Sequence, residues 1–184
     1  SVSATPTINT TYTVTGTDAN GCVNSSTRSV TVNPLPTVNA VASNTALCSG
    51  QSTTLTASGA SSYTWMPGSI TGNPIATTPA TSTTYTLIGA NANGCMGTTV
   101  RSIVVNPNPT VAVTNPNQTI CLGNSVTFNA SGAATYVWTS GGGTAASATY
   151  TPTSTSTYTV TGTTAGCSAN AIVNVTVAGT PTVI

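Results

Sequence analysis

The residues in this sequence that are best suited to chemistry are its five cysteines, which occur at two kinds of position. Cys22, Cys95 and Cys167 each follow the glycine of a short turn, whereas Cys48 and Cys121 stand two residues before a glycine that precedes an alternating segment. The chain has no histidine and no C-x-x-C spacing, so a zinc site is not expected. Two kinds of cysteine in a small repeated block predict a disulfide framework instead.

The rest of the composition offers little for catalysis or metal binding. Arg28, Arg101 and Asp18 are the only charged residues, and the chain has no lysine, glutamate or histidine. General acid–base catalysis needs histidine or carboxylates with tuned pKa values, and the abundant serines and threonines have no base to activate them. Calcium prefers several carboxylate oxygens, which one aspartate does not supply. We therefore expect no enzymatic activity, no bound metal and no cofactor.

The same shortage of charge limits the partners. Charged residues make up 2% of the chain, whereas globular domains carry about 25%. A nucleic-acid partner requires lysine and arginine to displace phosphate counterions, so it is excluded. No apolar run approaches the ~18 residues that indicate a membrane span, so membrane insertion is not expected either. Roughly a third of the residues are serine or threonine, and their hydroxyl groups must supply much of the hydration.

A block of sequence recurs with a period of 73 residues. TTYTVTGTDANGC at 10–22 returns as TTYTLIGANANGC at 83–95 and as STYTVTGTTAGC at 156–167. Self-similarity at a fixed spacing indicates an array of small folding units. Proline pairs separate these units, because alternating prolines favour stiff, extended linkers. The predicted divisions are an incomplete repeat at 1–34, complete repeats at 36–106 and 109–178, and a linker with the start of the next repeat at 179–184.

Within a repeat the apolar residues alternate with a period of two. Val126, Phe128 and Ala130 are separated by polar residues, which is the pattern of a half-buried strand with a hydroxyl-bearing outer face. Asn20-Gly21 and Asn93-Gly94 lie between two such strands and predict hairpin turns, because both residue types tolerate positive φ. No helical pattern of useful length is present. The sequence therefore predicts an all-β fold of tandem β-sandwich repeats.

Large aromatic residues recur at the same spacing, and they could either pack in the core or present a face to a sugar. Recurrence at one offset in both complete repeats favours the core, since the third strand of a sandwich places a tryptophan between the sheets. Tyr150 departs from the pattern, because its equivalent is Thr77, and this departure predicts a surface contact. A structural core role is predicted for Trp65, Trp138, Tyr12, Tyr85 and Tyr158.

The order of these features resembles a known family. The chain reads C-x-G-x-S, an alternating strand, Y-x-W, T-Y-T-V, N-G-C and V-x-V, and this order is similar to the immunoglobulin-like (Ig-like) repeats of Bacteroidota surface proteins. Such repeats occur in gliding-motility adhesins and in other cargo of the type IX secretion system. The resemblance covers essentially the whole chain. It implies an Ig-like sandwich, export to the cell surface, and a role in adhesion or as a spacer.

The pairing of the cysteines is open between several arrangements. The simplest is within one repeat, as Cys48–Cys95 and Cys121–Cys167, with the partner of Cys22 outside this segment. A bridge that closes a loop of about 47 residues would contribute roughly 3–4 kcal/mol on the chain-entropy estimate. In a strict Ig-like order, however, the turn before the second strand and the final hairpin lie at opposite ends. The rival is therefore a bond between neighbouring repeats, Cys48–Cys167, and free thiols or bonds between chains remain as a third arrangement.

The favoured function is a structural repeat segment of a long extracellular surface protein that forms a rod, fibre or adhesin stalk. The alternative is a carbohydrate- or surface-binding adhesion module, which would break the repeat locally with aromatic and amide side chains in one loop. The segment around Gly141–Gly143 and Tyr150 departs most noticeably, and glycines supply no binding groups. The expected partners are further repeats of the same chain or identical subunits in a fibre, with surface glycans as the ligand of the alternative.

The incomplete repeat at 1–34 has a further expected property. It supplies only the final strands of a sandwich, and Tyr12, Val14, Val30 and Val32 lie on the face that a second sheet should cover. An open half-sandwich would leave apolar side chains in water and strand edges unpaired. We therefore expect other polypeptide to complete this repeat, with upstream sequence of the same long chain preferred over a neighbouring subunit.

Overall fold

The computed structural model describes residues 2–179, and every regular element in that part of the chain is a β-strand. In chain order the strands are β1 (Thr10–Thr17), β2 (Val23–Val30), β3 (Asn39–Ala42), β4 (Ala46–Cys48), β5 (Thr53–Ser58), β6 (Ser62–Met66), β7 (Ile70–Thr71), β8 (Ile75–Thr77), β9 (Thr83–Ala90), β10 (Met96–Asn106), β11 (Ala112–Val113), β12 (Asn117–Cys121), β13 (Val126–Ser131), β14 (Thr135–Trp138), β15 (Ser147–Tyr150), β16 (Ser156–Thr164) and β17 (Cys167–Ala178).

Within residues 2–179 these strands form five hydrogen-bonded sheets. Strands β1 and β2 form a hairpin on their own. A three-stranded sheet has the order β3-β5-β8, and a five-stranded sheet has the order β4-β10-β9-β6-β7. The remaining strands form a three-stranded sheet, β11-β13-β15, and a four-stranded sheet, β12-β17-β16-β14.

The last two sheets form an Ig-like β-sandwich. Strand β12 runs parallel to β17, whereas β17, β16 and β14 are antiparallel neighbours. Side chains from both sheets share one buried cluster, with Phe128 and Ala148 from the three-stranded sheet and Trp138, Val160 and Val173 from the four-stranded sheet. The strand order and the buried tryptophan between the sheets confirm the predicted all-β, Ig-like sandwich class.

Hydroxyl groups line the outer faces of the strands and pair across them. Thr127 and Thr149 lie opposite each other on β13 and β15, with their hydroxyl oxygens 2.7 Å apart. Thr11 and Ser29 form the same kind of pair across β1 and β2 at 2.8 Å. Cross-strand pairs of this type stabilise a sheet by a few tenths of a kcal/mol to about 1 kcal/mol each. The outer faces are therefore polar and hydrogen-bonded without carrying charge.

The described chain divides into two compact units, of which the first comprises Ser1–Val41, Thr56–Ile75 and Tyr85–Arg101 (Ser1 lies outside the described residues). In this unit the side chains of Trp65 and Leu87 are fully buried. Gly89 lies so close to Tyr63 and its neighbours that a Cβ atom would collide with Val38 and Ala60. Glycine is therefore needed on this buried face of β9 for packing.

The second compact unit comprises Ala42–Leu55, Ala76–Thr84 and Ser102–Ile184, of which residues 180–184 lie outside the described residues. Its core contains an aromatic stack, in which the rings of Tyr150 and Tyr158 lie 3.7 Å apart at 17°. Trp138 meets Tyr150 edge-on at 6.4 Å. The predicted surface contact at Tyr150 is wrong, because its ring is only 6% exposed and its hydroxyl donates to the Thr139 carbonyl at 2.8 Å.

The hairpin turns form where the Asn-Gly pairs predict them, and an acidic or amide side chain two residues earlier fixes their shape. The Asp18 carboxylate accepts hydrogen bonds from the backbone N–H groups of Asn20 at 2.9 Å and Cys22 at 2.8 Å. Gly21 has a φ of 81°, which glycine adopts without steric cost. The Asn91 side chain makes the two equivalent bonds, at 3.0 Å each, in the next repeat.

Among the described residues there is one disulfide, Cys48–Cys167, whose halves are 119 residues apart. The predicted pairings Cys48–Cys95 and Cys121–Cys167 are therefore wrong, and the rival pairing is present. Cys22, Cys95 and Cys121 are free thiols.

The register of the parallel strands explains why the predicted pairs do not form. Cys121 pairs with Ala178, the last residue of β17, whereas Cys167 is the first residue of that strand. The two ends of the strand are about 36 Å apart, and the Cα atoms of a disulfide are no more than about 7 Å apart. In the same way, Cys48 pairs with Asn106 at the end of β10, whereas Cys95 precedes the start of that strand.

Tyr12 does not have the buried core position predicted for it. Its ring is 36% exposed, and Val14 and Val30 on the same hairpin are 71% and 40% exposed. Val32 is half-buried. The physical reason is that β1 and β2 have no opposing sheet within residues 2–179, whereas the equivalent Tyr85 is 4% exposed.

The disulfide is expected to supply a large part of the stability of the second compact unit. Replacing Cys48 and Cys167 together by alanine should lower the free energy of unfolding by about 5 kcal/mol on the chain-entropy estimate, because the bond closes a loop of 119 residues. Urea unfolding of the wild type and the double variant measures this difference. Cys121→Ala, which removes an exposed free thiol, is the matched control and should have little effect. A loss below about 1 kcal/mol in the double variant would contradict the entropic estimate.

The buried tyrosine pair should give the stability a dependence on alkaline pH. Burial, and then the neighbouring Tyr158, raises the pKa of the Tyr150 hydroxyl above its ordinary value of 10.0. A raised folded-state pKa means that this contribution is complete below the unfolded pKa and is lost as the pH rises through the folded pKa. With the free thiols alkylated, the stability should therefore fall less between neutral pH and a pH of about 11 in Tyr150→Phe than in the wild type. Tyr12→Phe, which changes an exposed ring, is the control, and equal slopes in all three proteins would refute the expectation.

Candidate functional site at the cysteine positions

The bonded cysteines lie where two strand ends meet in the second compact unit. Cys48 is the last residue of β4 and Cys167 is the first residue of β17, with their Cα atoms 5.5 Å apart. The Sγ atom of Cys167 lies 3.8 Å from the carbonyl oxygen of Asn106, which is the parallel partner of Cys48. Cys167 is 1% exposed. The bond is thus enclosed by backbone on one side.

Amide side chains hold the backbone around this bond. The Asn106 side chain donates to the Ala165 carbonyl at 3.2 Å, and the backbone N–H of Ser49 donates to the Asn106 carbonyl at 3.0 Å. The Gln51 side chain accepts from the backbone N–H of Cys48 at 3.0 Å. These neutral bonds position the half-cystines without any charged group.

Cys95 occupies a comparable position in the first compact unit but has no sulfur partner. It is half-buried, and its Sγ atom lies 3.9 Å from the carbonyl oxygen of Asn33. The Asn91 side chain donates to the Pro34 carbonyl at 3.1 Å, which ties the hairpin to the same segment. Asn33 and Asn106 are 73 residues apart in the sequence. Cys95 therefore faces Asn33 as Cys167 faces Asn106.

The other two thiols, Cys22 and Cys121, are exposed. Cys121 ends β12 beside Ala178, and the next residue, Leu122, is 51% exposed. Cys22 closes the turn that Asp18 caps. Activated cysteines have a cationic or basic neighbour that stabilises the thiolate, and the sequence offers these thiols no lysine or histidine. Their chemistry is therefore that of ordinary disulfide-forming thiols.

Within residues 2–179, no group of three or more Cys, His, Asp or Glu side chains is arranged to hold a metal ion. The same part of the chain has no helix that is long and apolar enough to cross a membrane.

The aromatic side chains that a sugar could stack on are used inside the fold. Trp65 is fully buried, and Trp138 is 3% exposed and donates its indole N–H to the Ala145 carbonyl at 3.1 Å. The Tyr63 hydroxyl both donates to the carbonyl and accepts from the N–H of Ala60, at 2.7 and 2.9 Å. Tyr136 makes the same pair of bonds, with Ala133, at 2.9 Å each. This local tyrosine clasp recurs in both complete repeats, and sequence reasoning missed it.

A shallow surface groove beside Tyr63 also lacks free polar groups. It is lined by residues 61–64 and 71–73. The side-chain amide of Asn73 in this groove already donates to the Ala57 carbonyl at 2.8 Å and accepts from the Ala57 N–H at 2.7 Å. A glycan would have to compete with these bonds, so the groove offers few groups to specify one.

The two arginines lie on the strand face that is buried in the other repeats. Arg28 pairs with Tyr12 across β1 and β2 and is exposed. Arg101 stands at the equivalent sequence position and is half-buried, with its Nε atom buried and without a hydrogen-bond partner in the described structure. Val173, which takes this position in the last repeat, is fully buried. The arginines thus extend apolar stems over a core face, as expected for side chains that carry their charge towards water.

Comparison with known proteins gives similarity of fold only. No protein-family model matches the chain, and no curated protein matches it. Among solved structures, the chain is similar to an I-band fragment of titin, with 14% identity and a TM-score of 0.44 over 80% of this chain and 67% of that chain. A Ca²⁺-stabilised, ice-binding adhesin of an Antarctic bacterium gives 15% identity and a TM-score of 0.44 over 94% of this chain and 57% of that chain. Murine CEACAM1b gives 10% identity and a TM-score of 0.38 over 77% of this chain and 100% of that chain.

Proposed function

We propose that this chain is a structural segment of a long extracellular surface protein, in which Ig-like sandwiches serve as a rod, fibre or adhesin stalk. The observation that carries the proposal is the use to which the recurring residues are put. In both complete repeats the recurring tryptophan and tyrosines are buried or locked by hydrogen bonds to backbone, and the recurring hairpin cysteine faces an asparagine carbonyl. The repeated sequence is thus committed to packing and cross-linking.

The surface chemistry supports a spacer role. The strand faces carry paired hydroxyl groups and almost no charge, so the protein would attract few ionic partners. Within the described residues, the most exposed thiols have no activating neighbour, which supports a non-enzymatic role. A disulfide supports an oxidising location outside the cytoplasm, because such bonds form and persist there.

The location at a cell surface, the Bacteroidota origin and the export by type IX secretion belong to this proposal and rest on the sequence resemblance. The partners that fit it are further repeats of the same kind, on the same polypeptide or on identical subunits in a fibre.

Electron microscopy of the native protein that carries this segment tests the proposal. The expected result is a thin rod or fibre in which units recur along its length, located outside the cell. A compact globular particle, or an intracellular location by immunogold labelling of this segment, would overturn it.

A second measurement separates the spacer from an adhesion module. The purified chain should give no saturable binding on a glycan array, and Tyr63→Ala should leave the background signal unchanged, because the groove beside this ring has few free polar groups. Saturable binding that Tyr63→Ala abolishes and Tyr136→Ala preserves would favour the carbohydrate-binding alternative.

A further inference from the structure

We propose that Cys95 and Cys121 are half-cystines of a disulfide ladder, in which the edge-strand cysteine of each repeat bonds the hairpin cysteine of the next. The bond Cys48–Cys167 is then one rung of the ladder. This inference deepens the proposed function, because it assigns the chemistry that would join successive repeats of a rod. The partner of each free thiol is a cysteine from a further repeat of this kind.

The positions of the cysteines in the sequence give the first argument. Cys48 and Cys121 are 73 residues apart, as are Cys22 and Cys95. The observed bond runs from an edge-strand cysteine in the repeat 36–106 to the hairpin cysteine of the repeat 109–178. If the bond recurs with the period, Cys121 takes the hairpin cysteine of a following repeat. By the same rule Cys95 takes the edge-strand cysteine of a preceding repeat, and Cys22 that of the repeat before it.

The surroundings of Cys95 give the second argument. Its Sγ atom lies 3.9 Å from the Asn33 carbonyl, and the Sγ atom of the bonded Cys167 lies 3.8 Å from the Asn106 carbonyl. Asn106 is the parallel partner of Cys48. An edge strand that paired beside Asn33 in the same register would therefore place its terminal cysteine next to Cys95.

The length of the neighbouring strand gives a third, independent argument. In β10 the last three residues, Val104–Asn106, pair with the edge strand that ends at Cys48. The equivalent residues 31–33 are not part of β2, which ends at Val30. The segment that carries Asn33 thus lacks strand pairing at the place where an edge strand with a cysteine would bind.

The exposed face of the same hairpin indicates what kind of module brings that strand. Tyr12, Val14 and Val30 are 36%, 71% and 40% exposed. The equivalent residues one period later, Tyr85, Leu87 and Ile103, are 4%, 0% and 1% exposed. A set of strands like those of the repeat 36–106 would cover these side chains and supply the edge-strand cysteine together.

Cys121 presents the opposite half of a rung. It ends β12 in parallel register with the last residue of β17, as Cys48 ends β4 in register with the last residue of β10. Cys121 is exposed, whereas Cys48 is bonded and half-buried. The strand end is therefore already in the geometry that forms a rung, and its thiol is accessible.

Each rung forms by thiol–disulfide exchange with an oxidant of the disulfide class, for which oxidised glutathione serves in vitro. The Cys95 thiol loses its proton, and the thiolate attacks one sulfur of oxidised glutathione and releases one glutathione thiolate. The thiolate of the partner cysteine then attacks the Sγ atom of Cys95 in the mixed disulfide and releases the second glutathione thiolate. Two protein thiols are oxidised to one disulfide, and one molecule of oxidised glutathione is reduced to two thiols.

The test extends the full chain with its own sequence at either end. In one protein, residues 35–78 are added directly before Pro6, so that the incomplete repeat is completed in register. In a second protein, residues 113–178 are added directly after Ile184. Both are refolded in a glutathione buffer, and their disulfides are mapped by mass spectrometry of peptic peptides, because the chain has only two tryptic sites.

The first protein should contain a bond from the added copy of Cys48 to Cys95, with complete loss of Cys95 alkylation, and should retain Cys48–Cys167. The second should contain a bond from Cys121 to the added copy of Cys167. The matched control for the first is the same extension with the added Cys48→Ser, in which Cys95 must become reactive again. The control for the second carries the added Cys167→Ser.

Any other outcome overturns the ladder. Bonds within one repeat, a reactive Cys95 in the first protein, or a reactive Cys121 in the second would each contradict the rule. Loss of the native Cys48–Cys167 bond on extension would also count against it, since an added repeat that fits the ladder leaves existing rungs intact. Failure of the ladder leaves the proposed rod standing, because peptide mapping reports the cross-links and electron microscopy of the native protein reports the shape.

Discussion

The parallel pairing of a short edge strand with the end of the last long strand is the constraint on which the rest of the structure depends. Strand β12 binds along β17 from Asn117↔Asn174 to Cys121↔Ala178, and β4 binds β10 in the same manner. This pairing satisfies backbone groups at an edge that would otherwise be open to other strands. It also fixes each edge-strand cysteine at the end of the sandwich opposite to its own hairpin. A disulfide within one repeat is thereby excluded, and the edge-strand cysteine is directed to a hairpin elsewhere.

The shortage of charge follows a consistent physical plan. The lone carboxylate, that of Asp18, accepts two backbone N–H groups in a turn, and Asn91 does the same in the next repeat without any charge. Hydroxyl pairs on the strand faces and amide bonds around the disulfide supply the other polar interactions. Because such bonds are short-ranged and neutral, salt should change them little. Small sandwiches bury a modest core, so their stability depends on aromatic packing and on the covalent bond.

The sequence predicted the strand class well because the relevant signals are local. Alternation in the segment 126–130, the Asn-Gly turns and the recurring tryptophan each depend on neighbours along the chain or on a fixed offset. The disulfide pairing was not predictable in this way, because it depends on the register of a three-residue strand, β4, against the far end of β10. The geometric objection to the pairing within one repeat was the signal that could have decided it.

Two aromatic roles were missed for related reasons. The repeat marks Tyr150 as different from Thr77, but the sequence does not show that the extra ring fills the space above Tyr158, where the two rings stack at 3.7 Å. Tyr63 and Tyr136 recur three residues after an alanine, and this spacing is the signal for the hydroxyl clasp to that alanine's backbone. Tyr12 has the sequence of a core residue, but its burial depends on strands that the described chain does not supply.

The span of the disulfide has a mechanical consequence for a protein that works under tension. A fully extended segment of 119 residues would reach about 400 Å, and the bond between Cys48 and Cys167 removes that length from any extension of the chain. Cys95 and Cys121 both lie inside this loop. Under the ladder rule, the rung from Cys121 therefore begins before the rung at Cys167 has ended, so successive loops overlap. Tension along such a chain would pass from one covalent bond to the next, and the neutral sandwiches between them would not have to resist it by packing alone.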